Sequence, residues 1–155
     1  MATHFKGSQQ QQLALNGYVA LLRCAETVTS DVARHLSAEA LTVGQFGVLE
    51  ALYHLGPLCQ RDIGKKLLKS GGNMTTVIDN LVKRDLVERH PDPDDRRYWQ
   101  VDLTTDGHEL IADLFPVHVE RIVARLAVLS SKEQDQLRRL CRKLGRAEAG
   151  TRPAD

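Results

Sequence analysis

The sequence predicts a mainly α chain with one small β-hairpin, an α+β fold, and three observations carry that prediction. Two short stretches of helical periodicity follow one another between residues 60 and 85, the second with Met74, Val77, Ile78 and Leu81 on a single stripe. Directly after them, Leu86-Val87-Glu88-Arg89 and then Trp99, Val101 and Leu103, alternating with Tyr98, Gln100 and Asp102, have the period of strands, joined by the tip His90-Pro91-Asp92-Pro93-Asp94-Asp95-Arg96-Arg97. Long apolar-striped segments, residues 9–36 and 105–147, flank this unit. Helix, turn, helix and a hairpin with a charged tip is the order of a winged helix-turn-helix, here spanning residues 42–104 of a single domain covering 1–155.

Taken in order, residues 9–35 form a long helix with Leu15, Tyr18, Val19, Leu22, Ala25, Val28, Val32 and Leu36 in a stripe too apolar to stand alone. Thr42 followed by Gln45 is a capping-box pattern that opens a second helix, with Phe46, Leu49, Leu52 and Tyr53 toward the core until Gly56-Pro57 stops it. A third helix over 61–68 and a fourth over 71–85 share Ile63, Leu67, Met74, Ile78 and Leu81. Ser70 can cap the fourth, and Gly71-Gly72 let its backbone approach an anion, which orphan N–H groups and the helix dipole favour. By itself that helix reads equally well as an amphipathic surface helix with a solvated side; the hairpin after it favours the helix-turn-helix.

In the hairpin, Pro91 and Pro93 restrict the backbone and the Asp residues form turns, so the tip holds Arg96 and Arg97 outward on a stiff loop. The two Arg are a solvated pair, partners of Asp92, Asp94 and Asp95, or groove contacts; an Asp that pairs with one leaves the other available. Thr105 or Thr104 caps a fifth helix whose apolar residues run past Pro116, and a proline inside a helix costs roughly 3 kcal/mol, which predicts a kink or break near Phe115. Ser130 with Glu133 caps the last helix, striped by Leu137, Leu140, Cys141 and Leu144. The terminal helices carry more apolar surface than one winged unit covers, which calls for a second copy about a two-fold axis and makes 9–36 and 105–147 dimerisation helices.

A formal net charge of +1 opposes a simple nucleic-acid reading, for which a strongly basic domain is expected. Distribution answers part of it, because Arg61, Lys65, Lys66 and Lys69 crowd the third helix while many acids sit in the tip. Arg138, Arg139, Arg142, Lys143 and Arg146 read as a solvated face. No apolar run is long enough for a membrane span, and the N-terminus leads into a glutamine tract, so a cytoplasmic protein is expected. Cys24, Cys59 and Cys141 are far apart, and the six His share no ligand spacing, so neither disulfide nor metal is predicted. With no H-E-x-x-H, no glycine-rich phosphate loop and no G-x-S-x-G, neither an enzyme nor a cofactor is predicted.

The run Asp95-Arg96-Arg97-Tyr98-Trp99-Gln100-Val101-Asp102-Leu103-Thr104 fits D-x-R-x-x-x-V-x-L-T, and with Gly107 following it resembles the wing of the multiple antibiotic resistance regulator (MarR) family. Leu81-Val82-Lys83-Arg84-Asp85-Leu86-Val87-Glu88-Arg89 resembles that family's exit from the recognition helix, where Gly commonly stands at the place of Asp85. The likeness runs from the first long helix to the last two and implies a homodimeric DNA-binding transcriptional regulator, a ligand-responsive repressor on a pseudo-palindromic operator. It further implies a small aromatic or phenolic effector held between the dimer helices and the winged unit. For base readout the sequence offers Asn73, Thr75, Thr76 and Asn80, since Asn pairs bidentately with adenine and Thr offers a hydroxyl and a methyl. Lys65, Lys69, Ser70, Gly72, Lys83 and Arg84 are candidates for phosphate, and Arg96 or Arg97 for the minor groove. Two rival readings stay open. One branch of the resembled family senses oxidants through a cysteine near the start of the first helix; Cys24 lies there, although Leu21-Leu22-Arg23-Cys24-Ala25 also reads as ordinary helix surface or a small core residue. The other is a winged domain that binds protein and no DNA.

Overall fold

The computed structural model describes residues 5–67, 71–93, 95 and 98–146. These residues group into two compact units divided between Val119 and Glu120. In the first, α1 (Gln9–Val32) leads through a 3₁₀ segment (Ala33–Glu39) to α2 (Val43–Leu55), β1 (Leu58–Cys59), α3 (Gln60–Lys66), α4 (Gly71–Lys83), β2 (Val87–Pro91), β3 (Trp99–Leu103) and the start of α5 (Thr105–Leu126). The second holds the end of α5 and all of α6 (Ser131–Arg146).

The core of the first unit gathers the apolar residues that the periodicity singled out. Phe46, Leu49 and Leu52 of α2, Ile63 of α3, Met74, Ile78 and Leu81 of α4, Val101 of β3 and Ile111 of α5 are buried together, and Leu67 packs at their edge. Each such side chain contributes about 1.5–3 kcal/mol relative to an exposed position, so this cluster fixes α3 and α4 on α2. The capping box of α2 is present: Thr42 Oγ1 accepts the Gln45 N–H at 3.1 Å and Gln45 Oε1 accepts the Thr42 N–H at 2.9 Å. A second box, which the sequence reading did not foresee, opens α1, where Ser8 and Gln11 bond reciprocally at 3.3 and 2.8 Å.

Several boundaries differ from expectation. The first helix leaves α geometry at Val32 and tightens into the 3₁₀ segment, which ends at Ala40 in the left-handed region with φ 48°. There Leu41 N–H bonds Leu36 O at 3.0 Å and Ala40 N–H bonds Ser37 O at 3.1 Å, a Schellman closure made without glycine. The third helix is a residue earlier at its start and shorter at its end than the periodicity suggested. The sheet has three antiparallel strands in the order β1-β3-β2, not a hairpin alone: Leu58 pairs with Val101 and Cys59 with Gln100. Strand β2 runs on to Pro91, opposite Trp99, so His90 and Pro91 belong to the strand and not to the tip. Pro91 is tolerated because β2 is an edge strand, where a missing N–H breaks no outer ladder. Trp99 is 55% exposed although it is in phase with buried Val101, so the packed face of the hairpin stops short of it.

No break occurs at Pro116, which lies inside α5. The proline removes one donor, and Leu110, Leu114 and Phe115 beside it pack against the core, a burial large enough to offset a cost of about 3 kcal/mol. Thr104, and not Thr105, caps this helix, accepting the Gly107 N–H on Oγ1 at 3.0 Å. In the second unit the expected cap of α6 is present, with Glu133 Oε2 accepting the Ser130 N–H at 2.8 Å, and Gln134 Nε2 closes the preceding loop onto Leu126 O and Leu129 O. The hydroxyl and N–H of Ser130 hold the Glu133 carboxyl below its usual range. Leu137, Leu140, Cys141 and Leu144 of α6 all remain exposed.

Two elements meet at a turn that the whole winged unit uses. Helix α4 ends with Asp85 at φ 55°, the position at which the resembled family commonly has Gly. Leu86 N–H bonds Leu81 O at 3.0 Å and Asp85 N–H bonds Val82 O at 2.9 Å, a second Schellman closure. Leu86 O in turn accepts the Thr104 N–H at 3.2 Å and lies where a Cβ on Gly107 would meet it at 1.9 Å. Gly107 is therefore required by close approach. Gly107→Ala should cost at least about 2 kcal/mol in urea unfolding, because backbone must move, whereas Ala40→Gly should stabilise by up to about 1 kcal/mol by relieving a left-handed alanine.

The rings of His35, Phe46 and His118 stack within the first unit, His118 lying 4.3 Å from Phe46 and 5.3 Å from His35 between centroids. His35 Nδ1 contacts Val32 O at 2.9 Å, while His35 Nε2 and His118 Nδ1 are buried with no hydrogen-bond partner. Burial, and secondarily the facing His35, lower the His118 pKa from its ordinary 6.5. The unfolded chain then takes up a proton at a higher pH than the folded one, so stability falls as pH drops below about 6.5 and the loss is complete once the folded pKa is passed. Thermal melts from about pH 7.5 to 5.5 should show this decline in the wild type and a shallower one in His118→Phe; parallel profiles would remove His118 as the cause.

Candidate nucleic-acid interface

Helix α4 presents one face to the core and leaves the other open. Met74, Ile78 and Leu81 are buried, while Gly72, Asn73, Thr75, Thr76, Asn80 and Lys83 are all exposed. The candidate base readers therefore share one solvent-facing side of one helix, with short polar side chains whose donors and acceptors can meet base edges in a groove. Thr76 Oγ1 lies 3.5 Å from Gly72 O, at the limit of a hydrogen bond. Thr75 Oγ1 accepts a hydrogen bond of 2.6 Å from Gln60 Nε2, a tie between the first residue of α3 and the exposed face of α4.

Other candidates separate. Lys65 is exposed on α3 with its Nζ 3.5 Å from Asp62 Oδ1. Asp62 also accepts the Cys59 thiol at 3.0 Å, and that bond first, then Lys65 and Arg61, holds its carboxyl below the usual range, so the start of α3 keeps a fixed negative charge beside Lys65. Arg84, a candidate for phosphate, is engaged within the fold. Its Nη1 donates to Ala40 O and its Nη2 to Glu39 O, both at 2.9 Å, so the guanidinium caps the end of the 3₁₀ segment. Lys69, Ser70, Arg96 and Arg97 lie outside the described residues.

The base of the wing is a built structure. Arg89 Nη2 pairs with Asp79 Oδ1 at 2.5 Å, fastening β2 to α4. Asp92 Oδ1 accepts the Asp95 N–H at 3.1 Å and Oδ2 accepts Gln100 Nε2 at 2.8 Å, while Asp92 N–H reaches Tyr98 O and Tyr98 N–H reaches Asp95 O, each at 2.9 Å. Asp92 thus acts as a turn former, and exposed Tyr98 and Trp99 stand beside it. Sequence reasoning missed Gln60 and the Asp79–Arg89 pair, since partners on separate elements leave no trace in periodicity. Cys24 is exposed on α1, which is not the small-core position weighed for it. Among the described residues no group of three or more His, Cys, Asp or Glu could hold a metal, and no helix is long and apolar enough to cross a membrane.

A MarR family model matches residues 41–98, which span α2 through the wing tip. The HTH-type transcriptional regulator YkoM of Bacillus subtilis is 35% identical over 137 residues, covering 88% of this chain and 89% of the relative. Among solved structures, Bordetella bronchiseptica BpsR, whose DNA binding is regulated by 6-hydroxynicotinic acid, superposes with a TM-score of 0.78 at 26% identity over 94% of this chain and 99% of its own. The S. aureus MepR–DNA complex superposes with a TM-score of 0.74 at 26% identity, over 82% and 95% of the two chains.

Arg84→Ala strips two backbone carbonyls of a charged donor, so it should lower unfolding stability by about 1 kcal/mol while leaving the salt dependence of DNA affinity unchanged. A flatter salt slope with unchanged stability would make Arg84 a phosphate ligand instead.

Proposed function

The chain belongs to the MarR family of DNA-binding transcriptional regulators, and on that premise we propose that it is a ligand-responsive repressor that binds a pseudo-palindromic operator as a cytoplasmic homodimer. The observation that carries the reading is the exposed polar face of α4, where Asn73, Thr75, Thr76 and Asn80 lie opposite a buried stripe. These four read base edges. Lys65, Lys69, Ser70, Gly72 and Lys83 hold phosphates, and Arg96 or Arg97 enters the minor groove. Dimerisation is supported by the apolar side chains left open on the terminal helices: Leu13, Tyr18 and Leu22 of α1, and Leu137, Leu140 and Leu144 of α6. A small aromatic or phenolic effector as the release signal is supported by likeness to BpsR, which answers 6-hydroxynicotinic acid. The exposure of Cys24 favours one second reading, release by oxidation of that thiol; a Cys24→Ser variant that still releases DNA on peroxide treatment would remove it.

Two recognition helices of a two-fold dimer require half-sites about 10 base pairs apart, centre to centre, as an inverted repeat, so lengthening the spacer by about half a turn should abolish binding. Thr76→Ala should cost about 1–3 kcal/mol for the preferred base and relax preference there, whereas Lys83→Ala should weaken all duplexes alike and flatten the salt slope by about one unit. Equal loss of specific and non-specific affinity in Thr76→Ala would mean that α4 holds backbone and reads no base. Sedimentation equilibrium at micromolar concentration should return a dimer, and a DNA-binding monomer would contradict the assembly.

A further inference from the structure

Gln60 lies outside the reading helix, yet its side chain ends on it. It is the half-exposed first residue of α3, and its Nε2 donates to Thr75 Oγ1 at 2.6 Å across 15 residues of sequence. A threonine in a helix divides between two χ1 rotamers, and passing from one to the other moves the hydroxyl to a new position and brings the methyl to the place the hydroxyl has left. On a base-reading face the choice matters, because the hydroxyl meets a base acceptor or donor while the methyl meets the C5-methyl of thymine. A donor from a neighbouring helix, held at its own first turn, selects the rotamer that turns Oγ1 toward α3.

We infer that Gln60 is a positioning residue for base recognition: its amide locks the Thr75 side chain in one rotamer and thereby sets which base pair Thr75 prefers. The inference rests on α4 being the helix that enters the groove. The bond couples α3 to α4 at their solvent side, where the shared core of Ile63, Met74 and Ile78 does not reach. A purely structural tie would alter stability and overall affinity; a positioning tie alters preference at one base pair.

The test is selection of bound sequences from a randomised duplex pool, followed by affinities for the selected duplex and its single-base variants at fixed salt. The proteins are the full-length wild type, Gln60→Met, Thr75→Val, the double variant and Asn73→Ala. Methionine keeps the length and apolar stem of Gln60 without the donor, and valine keeps the shape of Thr75 without the acceptor, so folding is preserved and checked by circular dichroism. Gln60→Met and Thr75→Val should each lower preference at the same base pair by about three- to tenfold, and the double variant should lose no more than either alone. Preference at the other positions should stay as in the wild type. If Asn73→Ala relaxes its own base pair while Gln60→Met changes none, or weakens all duplexes alike, the positioning role is overturned and the reading helix stands. If Asn73→Ala and Thr75→Val also leave every preference unchanged, α4 does not read bases and both fall together.

Discussion

The turn at Asp85 and Leu86 is the constraint from which the winged unit takes its shape. One carbonyl, Leu86 O, meets the Thr104 N–H and the face of Gly107, and one hydroxyl, Thr104 Oγ1, donates to Asp85 O at 2.6 Å while it caps α5. The end of α4, the start of β2, the end of β3 and the start of α5 are thereby joined within a few residues. Leu81 and Leu86, the two apolar partners of the Schellman closure, are both in the core, so the turn is anchored by packing as well as by hydrogen bonds. The Asp79–Arg89 pair repeats the connection further along the strand. Side chains on the exposed face of α4 gain a fixed orientation from such rigid support.

Charge is distributed in a way that reconciles a net value of +1 with a DNA-binding family. Two arginines of the region are engaged within the fold, Arg84 on the carbonyls of the 3₁₀ segment and Arg89 on Asp79. Lys65, 3.5 Å from Asp62, and Lys83 stand at the surface, and the exposed face of α4 is composed of neutral Asn and Thr. Such a face contributes little to non-specific attraction, which follows the number of phosphates neutralised, and more to discrimination between bases.

Much of the fold was legible because its signals are local. The capping box at Thr42 and Gln45, the stripe of Met74, Ile78 and Leu81, and the cap at Ser130 each depend on residues three or four apart, which is the reach of sequence periodicity. What escaped depends on distant partners. Strand β1 has two residues and exists by pairing with Val101 and Gln100, too short for any alternation to show. The bonds of Arg84 to Ala40 O and Glu39 O leave no local trace because they span 44 and 45 residues. Trp99 fitted an apolar alternation that the core does not extend to, and of the kink or break that Pro116 signalled, a break is absent where Leu114 and Phe115 pack on the core. The Gln60–Thr75 bond is of the same kind, a contact between helices that each read correctly alone.

If the Asp85–Leu86 turn holds the recognition helix and wing as one body, its amides must be protected as well as the core. Native-state hydrogen exchange reads this directly, since amides that open only with the whole fold share its free energy while frayed segments exchange at a far lower cost. The N–H groups of Leu86 and Thr104 should exchange with the same free energy as those of Ile78 and Val101, and more slowly than Tyr98 in the tip. Exchange of Leu86 and Thr104 by local opening, at a free energy comparable to that of Tyr98, would show that helix and wing move separately and would contradict the account.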